Sequence, residues 1–173
     1  MAASVCQAQI GTGASITLAN AETGLKFNKE DTLAGTTPIA IPNATGTNYS
    51  WIKNTVLAVT TAGTTAITNR RISLSTTTAT GLQAFWKAVA VGSYAQSAVG
   101  NLPAASGSNG ATPAGYTLMS TTATLYDNTS VSTASTGPTG SMAVLVVGVD
   151  NTFVGGAGSA TALPSIIITF DEA

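Results

Sequence analysis

Residues 142–149, MAVLVVGV, form the longest nearly uninterrupted apolar run in the sequence. The run is far shorter than the ~18 residues that a membrane-spanning helix needs. A short apolar run bounded by turn residues is typical of a strand that is buried on both faces. One face would meet the hydrophobic core, and the other would be covered either by a neighbouring subunit or by a long loop of the same chain.

Outward from this run, short β-branched or aromatic segments alternate with clusters of Gly, Pro, Asn and Thr, which is how strands and turns follow one another. We predict strands at residues 5–10, 15–19, 51–61, 67–75, 82–91, 116–126, 142–149 and 165–170, with 38–42 as an edge strand or an extended connection.

These segments predict an all-β fold, an antiparallel β-sandwich of Ig-like or jelly-roll type with about eight or nine strands. We expect one domain over residues 1–173, with an extended N-terminal arm at 1–13 and a long surface loop at about 98–115. The charged stretch 22–31 is expected to be a solvated loop or a short helix. The segments 51–61 and 67–75 would form a hairpin or successive strands of the sandwich.

Side-chain alternation predicts which residues face the core. In the segment 67–75, Ile72 and Leu74 fall on one face, whereas Arg71 and Ser73 fall on the other. Trp86 is expected to anchor the core from the strand 82–91.

The charge content excludes several classes of protein. The chain has 6 Lys and Arg, 7 Asp and Glu and no His, and its charged fraction of 8% is well below the roughly 25% of ordinary domains. Six dispersed cations cannot neutralise a phosphate backbone, so no nucleic acid is expected as a partner. Without histidine, Ser-His-Asp triads and His metal sites are impossible. We expect no enzymatic activity, no cofactor, no metal and no membrane contact, and the N-terminus lacks the pattern of a signal peptide.

A charge-poor surface favours assembly instead, because the cores of protein interfaces are depleted of charged residues. Arg70-Arg71 is the only concentrated positive charge, and it would either pair with acids of a neighbouring chain or lie at a solvated strand end. Our candidate subunit-interface residues are Arg70, Arg71, Leu102, Tyr116, Val144 and Val146.

Three segments carry a resemblance to a known group of proteins. SWIK at 50–53, ITNRRISL at 67–74 and TGLQAFWK at 80–87 resemble segments of small β-sandwich virion proteins of tailed bacteriophages. The resemblance implies a structural homo-oligomer that is assembled in the host bacterial cytoplasm and binds the major capsid protein or other virion proteins. A capsid decoration (cement) protein is the first expectation, and a neck, tail or baseplate component is the alternative. No catalytic or ligand-binding residue is carried over.

An alternative of another class is a carbohydrate-binding or adhesin-like module. The aromatic residues Trp51, Tyr94 and Tyr116 lie near predicted loops, where they could stack on sugar rings.

Overall fold

The computed structural model describes residues 5–21, 25–32, 35–131, 137–138, 140–155 and 164–172. Within these ranges the chain forms eleven strands and two 3-10 helices, at Val91–Ser93 and Val99–Asn101, and contains no α-helix. The strands are β1 (Val5–Thr12), β2 (Thr17–Asn20), β3 (Thr47–Tyr49), β4 (Lys53–Thr61), β5 (Ile67–Leu74), β6 (Leu82–Ala90), β7 (Thr117–Leu118), β8 (Thr124–Asp127), β9 (Gly137–Pro138), β10 (Ser141–Asp150) and β11 (Ile166–Glu172).

The strands form two antiparallel sheets that pack face to face. The large sheet has the order β2-β1-β4-β10-β6-β7, with β3 also paired to β10 and β9 to β4. The small sheet has the order β11-β5-β8. The predicted antiparallel β-sandwich is therefore confirmed, and the apolar segment that predicted it lies in β10, between β4 and β6 in the large sheet.

The main core lies between the two sheets. Ile72 and Leu74 of the small sheet pack with Leu145 and Val147 of β10. Trp86 of β6 is 7% exposed and makes an edge contact with the ring of Tyr126, with the centroids 6.4 Å apart. The predicted facing of β5 and the role of Trp86 as a core anchor are confirmed, because period-two alternation reports directly which face of a strand is buried.

The predicted strand 116–126 is wrong as a single element. It forms β7, which pairs with β6 in the large sheet, and β8, which pairs with β5 in the small sheet. Between them the chain crosses the sandwich: Met119 N donates to Ala84 O at 2.8 Å, and Leu74 N donates to Ser120 O at 2.8 Å. Similarly, β4 and β5 lie in different sheets, so they are successive strands and not a hairpin.

The described part of the expected N-terminal arm is built into the sheet. The strand β1 is hydrogen bonded to β2 on one side and to β4 on the other, so residues 5–12 are not a free arm, whereas residues 1–4 lie outside the described ranges. Residues 38–42 form an extended connection, in which Ile39 and Ile41 pack against the main core.

Candidate functional site

The outer face of the small sheet carries large apolar side chains that face solvent. Leu125 of β8 is 47% exposed and Ile167 of β11 is 39% exposed. Leu125 lies opposite Arg71 in the pairing of β8 with β5, and Thr169 lies opposite Arg71 on its other side. We name Arg71, Leu125, Ile167 and Thr169 the small-sheet face.

One ion pair lies on the small-sheet face. Arg71 donates from Nη1 and Nη2 to the two carboxylate oxygens of Asp171 at 2.9 and 3.0 Å, and Asn69 Nδ2 donates to Asp171 Oδ2 at 2.9 Å. The hydrogen bonds from Arg71 and then Asn69 lower the pKa of Asp171 to about 2. The charge of Arg71 is therefore neutralised within the chain, and the face is close to neutral.

Arg70 points the opposite way from Arg71, into the protein, with a side chain that is 1% exposed. Its Nη2 lies 2.6 Å from Asp127 Oδ2 and 3.3 Å from Thr129 O. The expectation that these arginines pair with a neighbouring chain or lie at a solvated strand end is wrong for Arg70, which is buried and paired within its own chain. Arg71 lies at the surface and is paired with Asp171 of its own chain.

Asp127 is held as an anion by several donors. Burial acts to raise its pKa, but hydrogen bonds from Thr129 and Ser141, together with the charge of Arg70, outweigh burial and lower the pKa. Asp127 accepts from Thr129 N at 2.8 Å and from Ser141 N at 2.5 Å. Since Ser141 belongs to β10, this carboxylate connects the small sheet to the large one.

The centre of the outer face of the large sheet, around β10, is covered by the chain itself. Val144 and Val146 of β10 are 2% and 1% exposed and pack with Tyr49, Ile52 and Phe85. Tyr49 Oη donates to Ala111 O at 2.7 Å. The backbones of Thr47 and Ser106 donate to each other at 2.9 and 3.0 Å. Tyr49 and Ile52 pack on Val144 and Val146, and the long loop is hydrogen bonded to β3, so the two valines offer no side-chain surface to a neighbour.

The six predicted interface residues therefore fall into separate places. Arg70 is buried in the sandwich, Arg71 lies on the small-sheet face, and Leu102 is half-buried in the long loop. Tyr116 packs against the cluster that contains Val144 and Val146, so the structure brings these three together beneath the loop. Of the six, Arg71 is the one on the exposed apolar face of the small sheet.

Tyr116 contacts a residue that lines a cleft at the edge of this cover. Lys87 of β6 lines the cleft, and its Nζ lies 4.7 Å from the centroid of the Tyr116 ring. Burial raises the pKa of Tyr116 to about 12, and its Oη has no hydrogen-bond partner among the described residues. The cleft has a volume of about 170 Å³ and is lined by Ile52, Asn54, Lys87, Val89, Ser93, Ala95, Asn101 and Val144.

The three aromatic residues proposed for sugar binding have separate local contacts. Tyr94 Oη donates to Gly13 O at 2.9 Å beside the β1–β2 turn. Tyr116 contacts Lys87, while Trp51 N donates to Asn28 O at 2.8 Å.

Lys53 is a buried cation that was not among the predicted site residues. Its Nζ donates to Asn28 Oδ1 at 3.1 Å, Glu30 O at 2.6 Å and Thr32 O at 3.3 Å, and the residue is 1% exposed. Burial lowers the pKa of Lys53, although the charges of Asp31 and Glu30 act in the opposite direction. Residues 25–32 form a loop, one of the two predicted forms, but Asn28 is buried and three oxygens of this loop accept from the ammonium, so the loop is only partly solvated. The sequence did contain one indication of this buried cation, because Lys53 stands at the start of a strongly apolar predicted strand.

In the ranges that the structure describes, no group of three or more His, Cys, Asp or Glu residues could hold a metal ion. No described helix is both long and apolar enough to cross a membrane.

Comparisons with known proteins found no relative. No protein-family model matches the chain, and neither the curated proteins nor the solved structures contain a significant match.

Proposed function

We propose that this protein is a structural component of a bacteriophage virion, a capsid decoration (cement) protein that attaches through the small-sheet face. The observation that carries the proposal is the difference between the two outer faces of the sandwich. Val144 and Val146, at the centre of the outer face of the large sheet, are buried by other parts of the chain, whereas Leu125 and Ile167 on the small-sheet face are 47% and 39% exposed. An exposed apolar patch on a folded domain marks a surface for contact with other proteins.

The charge on this face suits a permanent contact. Arg71 and Asp171 neutralise each other, so burying the face against a shell protein leaves no unpaired charge. The chain's formal net charge of −1 gives little long-range repulsion between copies packed side by side. The resemblance of residues 50–53, 67–74 and 80–87 to virion proteins directs the proposal to a phage particle, assembled in the host bacterial cytoplasm. The role is structural and not enzymatic.

The test is the binding of the purified protein to phage heads that lack it. We expect binding to be at least about tenfold weaker for Leu125→Asp and Ile167→Asp, because each buries a charge at the contact. Leu118→Asp is the matched control, since Leu118 is 54% exposed but lies on β7 of the large sheet. Absence of binding to heads, or equal binding by all three variants, would overturn the attachment through this face.

Electron microscopy of the native particle separates the positions in the virion. Hundreds of copies on the shell would support decoration. A ring of about six or twelve copies would instead place the protein at the neck, tail or baseplate, because such parts follow the closed symmetry of the particle axis.

Contact between copies is part of this proposal. Among the described residues β11 pairs with β5 alone, so its second edge can add a strand from another copy. Thr169→Lys places a charge on this exposed edge, and we expect the variant to be more monomeric than the wild type in analytical ultracentrifugation. A wild type that remains monomeric at all concentrations would exclude this contact in solution.

A further inference from the structure

The buried contact between Lys53 and Asn28 places a primary amine against a side-chain amide. Lys53 Nζ lies 3.1 Å from Asn28 Oδ1, and the two residues are 1% and 5% exposed. The amide carbon of Asn28 is one C=O bond, about 1.2 Å, from that oxygen. A reaction between two groups that the fold holds next to each other is far faster than the same reaction in solution, because the encounter has already been made.

The amide of Asn28 has one end held and one end unpaired. Asn28 Oδ1 accepts from Glu30 N at 3.2 Å as well as from Lys53, and these two donors fix the orientation of the amide. Its Nδ2 is buried and has no hydrogen-bond partner among the described residues, although buried polar atoms are normally paired. A backbone N–H at Oδ1 stabilises the negative charge that develops there when a nucleophile adds to the carbon. The contact therefore has an activated carbonyl group and an unbound leaving group.

Lys53 is the nucleophile of this arrangement. Burial lowers its pKa, although the charges of Asp31 and Glu30 act in the opposite direction. Desolvation favours the neutral amine over the ammonium, and a desolvated lysine is a common nucleophile in proteins.

The carboxylate of Glu30 is placed to carry the proton. Its Oε1 accepts from Thr36 N at 3.1 Å and from Thr37 N at 2.7 Å. The hydrogen bonds from Thr37 lower the pKa of Glu30, so the carboxylate is ionised near neutral pH and can accept a proton. A Cβ built on the buried Gly35 would contact both Glu30 Oε2 and Asn28 Nδ2, so these two atoms lie against the same glycine.

We propose that Lys53 and Asn28 join through an intramolecular amide bond that forms in the folded protein. The ammonium of Lys53 gives one proton to the Glu30 carboxylate, and the neutral Nζ adds to Cγ of Asn28. The bond between Cγ and Nδ2 then breaks, and its electron pair stays with the nitrogen. Nδ2 leaves with the proton from Glu30 and one more from Nζ. The products are a secondary amide and one ammonium ion, with no oxidation or reduction.

The bond would connect two parts of the chain that lie 25 residues apart, the loop at 25–32 and the first residue of β4. Before it forms, Lys53 is held by its three hydrogen bonds alone. Its formation removes a buried charge and a buried unpaired nitrogen in one step. A covalent link of this kind also restricts the unfolded chain, which stabilises the fold.

Mass spectrometry of the full-length protein tests the bond. We expect an intact mass that is lower than the sequence mass by one ammonia. Trypsin should give a branched peptide in which residues 27–29 are joined to Lys53, with no cleavage after Lys53, because its side chain is no longer a cation. An intact mass that matches the sequence, together with cleavage after Lys53, would overturn the proposal.

The branched peptide also separates this bond from a second source of ammonia. The chain contains an Asn109-Gly110 pair, and cyclisation of Asn109 onto the next backbone nitrogen would release ammonia too. A mass loss that is confined to the peptide with Asn109 would count against the bond at Lys53.

Three variants assign the roles of the side chains. Lys53→Arg keeps a positive charge with N–H donors, and we expect it to keep the full mass. Glu30→Gln keeps an oxygen for the donors of Thr37 but cannot carry the proton, so the cross-linked fraction at purification should fall at least about tenfold. Lys29→Arg is the matched control, since it changes a neighbouring lysine and preserves the trypsin site, and it should cross-link like the wild type.

Circular dichroism identifies the variants that are folded. Loss of ammonia from residues 27–53 of Lys53→Arg would overturn the assignment of the nucleophile. An unchanged cross-linked fraction in folded Glu30→Gln would overturn proton transfer by this carboxylate. If Lys53→Arg does not fold, the peptides of the wild type and of Glu30→Gln still decide the proposal.

Discussion

Arg70 and Asp127 form an ion pair inside the sandwich, with Nη2 and Oδ2 separated by 2.6 Å and side chains 1% and 2% exposed. Because Asp127 also accepts from Ser141 N of β10, the pair joins the two sheets at one end of the core. Arg71, the next residue, pairs with Asp171 on the surface. Two adjacent arginines of one strand therefore have opposite environments.

We expect Asp127→Asn to lower the free energy of unfolding by about 3–5 kcal/mol, because it leaves the buried guanidinium without its counter-charge. Asp171→Asn is the control, and it should cost much less because water screens the surface pair. Urea denaturation of the two variants measures the difference. Equal losses would mean that Asp127 has no special role in joining the sheets.

Gly140 is predicted to be intolerant of any side chain. Its φ is +73°, and a Cβ at this position would lie 2.1 Å from Arg70 Nη2 and 2.6 Å from Asp127 Oδ2. Gly140→Ala should therefore destabilise the protein by about 2–3 kcal/mol, through strain and displacement of the ion pair. Gly107→Ala, where a Cβ meets open space, should change stability by less than about 0.5 kcal/mol. Thermal melts of both variants provide the test, and similar melting temperatures would contradict it.

The tyrosines on the outer face of the large sheet give a matched pair of substitutions. Tyr49→Phe removes the hydrogen bond to Ala111 O and should cost about 1 kcal/mol, with faster amide hydrogen exchange in the long loop. Tyr116→Phe removes a hydroxyl that has no partner among the described residues, so stability should stay the same or rise slightly. A larger loss for Tyr116→Phe than for Tyr49→Phe would contradict the hydrogen-bonding pattern.

Lys53→Met should release the segment that folds against the ammonium. The substitution removes the Lys53 donor from Glu30 O and Thr32 O and leaves Asn28 Oδ1 with only the bond from Glu30 N, so we expect a loss of about 2–4 kcal/mol. The rate of amide hydrogen exchange should increase more in residues 28–32 than elsewhere in the chain. Lys26→Met, at an exposed lysine close in sequence, should leave both measurements unchanged.

Stability should fall as the solution becomes strongly acidic. The pKa of Asp171 is lowered to about 2 in the folded protein, against about 3.9 for an aspartate in an unfolded chain. The unfolded state therefore binds more protons in this window, so the stabilisation is complete above pH ~4 and is lost as the pH falls towards 2. Asp127, whose pKa is also lowered, adds to the same trend.

The free energy of unfolding measured from pH 2 to 7 checks this dependence. The Asp171→Asn variant should have a shallower slope between pH 2 and 4, because one of the titrating groups is gone. Profiles of wild type and variant that differ only by a constant offset would refute the assignment.

Local patterns in the sequence were sufficient for the class of fold and for the facing of several strands. Alternation in residues 67–75 identified Ile72 and Leu74 as core residues, and the apolar run at 142–149 identified a strand buried on both faces. These predictions succeed because the side chains of a strand point alternately to its two faces, so the order of apolar and polar residues indicates which face is buried.

Contacts between distant segments were decided only by the tertiary structure. The partner of Arg70 lies 57 residues away in the sequence, so alternation, which places Arg70 on the face of Ile72 and Leu74, could not identify Asp127. The sequence also did not identify what covers Val144 and Val146, because both a neighbouring subunit and a loop of the same chain were compatible with it. The same is true of the acceptors of Lys53, which come from a segment more than 20 residues earlier. Periodicity reports whether a face is buried, whereas the identity of what buries it depends on where the chain crosses between the sheets.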